Sequence, residues 1–152
     1  MIKAGKLANE GTIYMDYKKF YRELILTTTG SLPASEDGMS ETEFDALCKI
    51  AVPQALKEYY LVVGKHSISM EYNLFLPPDK FERHDGFLWF MEENQAVCYW
   101  GIKENDLMQT DPEVWQLHAD PSGKLAHAYS EERTFSEFVS GYFAFIKSDK
   151  EG

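Results

Sequence analysis

Phe87-Leu-Trp-Phe-Met91 and Ala96-Val-Cys-Tyr-Trp100 are two apolar runs separated by Glu92-Glu93-Asn94-Gln95. Each run is apolar on both of its faces, the pattern of a strand buried in the middle of a sheet. The four polar residues between them predict a turn, so the two runs read as a central hairpin. Downstream, Glu113 to Ala119 and Lys124 to Tyr129 flank Asp120-Pro-Ser-Gly123. That is a turn sequence with proline at its second position, and it predicts a second hairpin. Upstream, Ile68, Met70, Tyr72, Leu74 and Leu76 alternate with polar residues until Phe75, which predicts a half-buried strand ended by Pro77-Pro78.

Helical periods lie on either side of these strands. Tyr17, Phe20, Tyr21, Leu24 and Ile25 recur at three and four residues, which predicts a helix over 17–28 with Asp16 as its cap and Gly30 as its stop. Ser31 to Met39 reads as a surface loop. Ser40-Glu-Thr-Glu43 is a capping box opening a short helix with Phe44, Leu47 and Cys48 inward. Pro53 suits the first turn of the next helix, whose stripe is Leu56, Tyr59, Tyr60 and Val63, with Gly64 placed to end it. Thr134-Phe-Ser-Glu137 is a second capping box, and Phe135, Phe138, Val139, Tyr142, Phe143 and Ile146 trace the stripe of a last helix. The first dozen residues are expected to be loose or weakly paired. The order predicts a single α+β domain, an antiparallel-rich central sheet flanked by N-terminal helices and one C-terminal helix.

The chain has 152 residues and a formal net charge of −10. Residues 1–30 hold five basic and three acidic groups; the other 10 basic and 22 acidic groups follow, a net of −12. Such a surface repels phosphate backbones, which argues against direct nucleic-acid binding. It would steer a basic partner onto itself, although acidic charge also serves solubility alone. The two cysteines, Cys48 and Cys98, are expected to be buried and reduced. The opening ten residues show no apolar signal segment, and no apolar run nears the ~20 residues of a membrane span, so the expected compartment is the cytoplasm.

Little in the chain asks for catalysis. His66, His84, His118 and His127 lack metal-pair spacing, although His118 and His127 approach across the second hairpin. Cys98 lies in a run expected to be buried, where a thiol is inert. Glu92 and Glu93 are adjacent in a turn and point apart into water rather than forming an acid–base pair. No phosphate-binding loop is present. No catalytic residue, metal ligand or cofactor is therefore assigned. The stretch from Glu92 to Glu113 is different. Glu92, Glu93, Glu104, Asp106, Asp111 and Glu113 face a single basic residue, Lys103, and Tyr99, Trp100 and Trp115 lie in or beside them. Aromatic anchors ringed by acids would suit a basic protein partner. The alternative is that the aromatics face the core and the acids are merely hydrated.

Taken in order, the motifs resemble the SUKH superfamily, which includes the yeast cell-wall assembly regulator and many bacterial immunity proteins. The similar features are Pro53-x-x-Leu56-x-x-Tyr59-Tyr60 with Gly64, Leu76-Pro77, Leu88-Trp-Phe90 with Glu92, Glu93 and Gln95, Trp100-Gly101-Ile102, Asp111-Pro112-Glu113-Val114, and Thr134-Phe135 with Phe138. The similarity covers residues 40–146 and leaves 1–39 as an extension carrying one helix. The resemblance implies an α+β fold and no enzymatic activity. It also implies an immunity protein that neutralises a cognate toxin, of nuclease or deaminase type, by protein–protein binding. The motif positions are mostly apolar, glycine or proline, so the family supplies no binding residues. The alternatives are a regulatory scaffold for a cellular protein, or a small carboxylate hydrolase.

Overall fold

In the computed structural model, which describes residues 15–151, four helices lie on one side of a six-stranded sheet. The expectation for the first dozen residues lies outside the described residues. Helix α1 spans Tyr17–Thr29. The Asp16 carboxylate accepts the Lys19 N–H at 3.1 Å, and Gly30 closes the helix in the left-handed conformation (φ 87°) that its missing side chain permits. α2 (Glu41–Leu47) starts at Ser40, whose hydroxyl accepts the Glu43 N–H at 3.0 Å. Only this arm of the expected capping box forms, since the Glu43 carboxylate pairs with Lys65 at 2.9 Å instead. Pro53 occupies the cap of α3 (Gln54–Val63), one residue before its first turn. Helix α4 (Phe135–Glu151) closes the described chain.

The sheet is antiparallel throughout. Its strands are β1 (Leu74–Phe75), β2 (Glu82–His84), β3 (Phe87–Glu92), β4 (Tyr99–Lys103), β5 (Glu113–Ala119) and β6 (Leu125–Thr134). They run in the order β1-β3-β4-β5-β6, with β2 also paired to β3. The two expected hairpins are present, and β3 and β4 are interior. Three strand expectations need correction. Residues 68–76 do not form one strand. The His66 Nδ1 accepts the Ile68 N–H (3.0 Å), and the Ser69 hydroxyl donates to the Val63 carbonyl (2.7 Å), so Ser67–Ser69 curl into a 3-10 turn. These local bonds outcompete a ladder; Met70 is 64% exposed, and only Leu74–Phe75 pair. β4 begins at Tyr99 rather than Ala96. The Glu93 carboxylate accepts the N–H groups of Gln95 (3.2 Å) and Val97 (3.0 Å) and holds the connection as a longer loop. Finally, β2 is an added strand, joined to β3 by Asp85 (φ 55°) and Gly86 (φ 83°), the left-handed pair of a tight hairpin turn.

The core between sheet and helices is dense in aromatics. Tyr59 is its centre, with ring centroids 5.6 Å from Tyr21 on α1, 4.5 Å from Phe75 on β1, and 6.1 and 6.3 Å from Phe135 and Phe143 on α4. Buried phenols must keep their hydroxyls bonded. Tyr59 pairs with Ser69 at 2.9 Å, and Tyr21 donates to the Ala55 carbonyl at 2.9 Å. Truncating such a ring to alanine costs about 3–5 kcal/mol. α1 contributes Tyr17, Phe20, Tyr21 and Ile25 to this core and packs on α3 and α4.

Candidate functional site

Strand register sorts the sheet residues onto two faces. Leu88, Phe90, Met91, Trp100, Ile102 and Val114 pack into the helix-side core. Phe87, Trp89 and Leu117 form a second cluster on the other face, with Tyr99, Trp115, Leu125 and Ala128 against it. Among the described residues no helix covers that second face. Two local features shape it. Trp89 pairs with Gly101 while Met91 pairs with Trp100, so Phe90 is an extra residue in β3. This bulge turns Phe90 and Met91 both toward the helices and returns Glu92 to the open face, opposite Tyr99. At Gly101 a Cβ would stand 2.6 Å from the Leu88 carbonyl oxygen and 2.7 Å from a Leu117 methyl, so only glycine lets β3, β4 and β5 pack this closely.

The open face curls. The Asp85 carboxylate accepts the Leu125 N–H at 2.9 Å and contacts His84 Nδ1 at 3.2 Å, fastening the β2–β3 turn to the start of β6. These bonds hold the Asp85 carboxyl below its ordinary value, the Leu125 N–H most of all. Phe87 and Trp89 are consequently only 8% and 4% exposed on a face without helices. Beside this closure lies a cleft of about 530 Å³. Trp89 and Tyr99 line its base, with centroids 5.1 Å apart. Asp79, Lys80, Phe81, Glu82 and His84 line one wall, Ala119 and Gly123 the other, and Glu92 also lines it. The His84 ring stacks on Trp89 at 4.2 Å, and its Nε2 lies 3.5 Å from Glu82. Burial pushes the Tyr99 phenol up, and the charges of Glu92 and Glu82 push it further.

The structure does not bring the nine residues from Glu92 to Trp115 into one patch. Only Glu92 and Tyr99 enter the cleft. Glu93 shapes the β3–β4 loop. Trp100 is buried on the helix side and donates its indole N–H to Glu131 at 2.9 Å. Glu104 stands 3.7 Å from Arg83, and Asp106 accepts from the Gln109 amide at 3.1 Å. Asp111 accepts the Ser136 N–H (2.9 Å) and hydroxyl (2.6 Å) at the start of α4, and burial holds its carboxyl above the ordinary value. Glu113 accepts from the Ser130 hydroxyl. Trp115 lies on the open face under the Lys103 ammonium, 4.5 Å from its ring centroid. Strand alternation sends Trp100 to the helix side and leaves Tyr99 and Trp115 on the open face, and backbone N–H groups of a loop and a helix take up Glu93 and Asp111.

His118 and His127 face each other in the β5–β6 register, and His118 Nε2 is bonded to Gln116 at 2.7 Å. Among the described residues no three metal-ligating side chains converge, and no helix is long and apolar enough to cross a membrane. Cys48 and Cys98 are buried free thiols, each pushed up chiefly by burial. Asp79, Glu82, His84 and Trp89 were not anticipated as site residues. Asp85-Gly86 carried the signal, because a tight turn there pairs 82–84 with 87–89 and sets Glu82 opposite Trp89. No family model matches the chain, and no curated protein or solved structure does so either.

Proposed function

We propose that this protein acts by binding another protein, as an immunity protein that neutralises a basic toxin domain of nuclease or deaminase type. The observation that carries the reading is the cleft on the open sheet face, where an aromatic base is bordered by Asp79, Glu82 and Glu92. Anionic surroundings of this kind disfavour nucleic acid and attract a cationic surface. The net charge of −12 beyond residue 30 extends the same field over most of the molecule. The resemblance to the SUKH superfamily supplies the toxin as partner. Its motif residues serve the fold here. Leu56, Tyr59 and Tyr60 are core, Trp100-Gly101-Ile102 is the centre of β4, and Asp111 caps α4. The mechanism would be non-enzymatic occlusion, which for a specific complex buries roughly 1,200–2,000 Å² in total.

The test is affinity capture by the tagged protein from its native host, followed by assay of the captured polypeptide. A basic polypeptide retained at one-to-one stoichiometry, whose nuclease or deaminase activity the protein abolishes, is the expected result. A housekeeping protein retained instead, with no toxin activity to inhibit, would replace this reading with that of a regulatory scaffold.

A further inference from the structure

We propose that the cleft receives an arginine side chain of the partner, its guanidinium lying against Tyr99 between Glu82 and Glu92. The proposal rests on the protein-binding reading above and names the group that enters. Three carboxylates line the cavity against Lys80 and His84. Among the described residues, neither Glu92 nor Asp79 is in a salt bridge, and the nearest ring nitrogen to Glu82 is His84 Nε2, 3.5 Å away. The register sets Glu82 opposite Trp89 and Glu92 opposite Tyr99, and the two rings touch with centroids 5.1 Å apart, so an acid stands beside each ring and both act on the Tyr99 phenol. The cavity, about 530 Å³, has room for a long side chain with its flanking backbone.

A planar guanidinium suits this arrangement better than an ammonium. It stacks on an aromatic face while its edge donates to carboxylates on either side, and it sheds water more readily. The same sheet face already holds one cation on a ring, since the Lys103 ammonium lies 4.5 Å from the Trp115 centroid. An anionic side chain would meet Glu82, Glu92 and Asp79 at once. The field of the acidic surface favours a cation carried by a large basic polypeptide over a free small molecule, because only the former collects the long-range attraction of the whole face.

The experiment titrates isotopically labelled protein with acetyl-Gly-Gly-Arg-Gly-Gly-amide, at low ionic strength, by nuclear magnetic resonance. The same peptide with lysine, and with citrulline, serves as comparison. Saturable shifts at the Trp89 indole N–H and the Tyr99 and Glu92 amides, weaker with lysine and absent with citrulline, are expected. The double variant Glu82→Gln and Glu92→Gln should weaken the arginine peptide about tenfold or more at an unchanged melting temperature. Equal shifts with citrulline, or shifts confined to another surface, would overturn the proposal. So would a captured toxin that binds the double variant undiminished, which leaves the protein-binding reading standing. Arginine-specific shifts without any captured toxin would remove the toxin reading and keep the cleft chemistry.

Discussion

Replacing Asp111 with alanine should destabilise the protein by about 3 kcal/mol without touching the cleft. The carboxylate is the partner of two groups on Ser136, its N–H at 2.9 Å and its hydroxyl at 2.6 Å, and Ser136 is only 1% exposed. Removing the acceptor strands a buried donor N–H and a buried hydroxyl, each worth about 1–3 kcal/mol when left unpaired. The two together span about 2–6 kcal/mol, and because the hydroxyl can turn to another acceptor the loss falls toward the lower part of that span, at about 3 kcal/mol. For a domain of this size such a loss lowers the melting temperature by about 6–12 °C. Asp111→Asn should cost about 1 kcal/mol, because it keeps an acceptor for the N–H. Burial raises the Asp111 carboxyl, so the fold disfavours its charge, and losing that charge is itself no loss. The sign with pH follows. As pH rises from 3.8 through the raised folded value, the native state gives up this proton later than the unfolded chain, so this contribution to stability falls. Asp111→Asn should lack that fall. Urea unfolding followed by tryptophan fluorescence measures both effects. An Asp111→Ala midpoint within about 0.5 kcal/mol of wild type at unchanged slope would refute the capping role. Lost peptide binding at full stability would return Asp111 to the binding surface.

Gly101→Ala should cost about 1–3 kcal/mol, because the new methyl meets the Leu88 carbonyl oxygen at 2.6 Å; thermal unfolding showing no loss would mean that the strands part freely. Alkaline unfolding should be steep. Tyr21, Tyr59 and Tyr60 are raised above the ordinary value of 10.0, chiefly by burial, so each withdraws up to ~1.4 kcal/mol of stability per pH unit as pH rises past that value. Tyrosinate absorbance and circular dichroism should therefore change together, and ionisation of all nine tyrosines in a chain that stays folded would contradict this. Cys48 and Cys98 should resist a thiol reagent in the native protein and react at once in denaturant, with rapid native labelling of either as the contrary result.

Elements with their own punctuation were legible from the sequence. Asp16 and Gly30 bracket α1, and both arms of the Thr134–Glu137 box form, with Thr134 N–H to Glu137 at 3.0 Å and the return bond at 3.4 Å. Asp120 accepts from the N–H groups of Ser122 (2.9 Å) and Lys124 (3.0 Å), as a turn residue should. Strand β2 was missed because the Asp85-Gly86 turn went unread, and the other two strand failures share a different cause. At Ser67–Ser69 and Glu93–Val97, side chains bond to backbone nearby, and apolar alternation does not record those bonds. The same holds for the binding surface. Charge counted along the chain gave the sign of the cleft and two of its members, Glu92 and Tyr99. It could not show that Asp111 and Glu93 serve backbone N–H groups, or that the Phe90 bulge decides which face Glu92 joins.

The position of Tyr59 has a consequence for synthesis. Its ring touches α1 and β1, which precede or soon follow it, and also Phe135 and Phe143 on α4. A nascent chain that has made α1 through β6 still has an open aromatic socket where α4 belongs. Until α4 leaves the ribosome, that socket is exposed hydrophobic surface. Chains stalled short of Phe143 should be caught by chaperones or proteases, because without α4 the apolar surface around Tyr59 stays open.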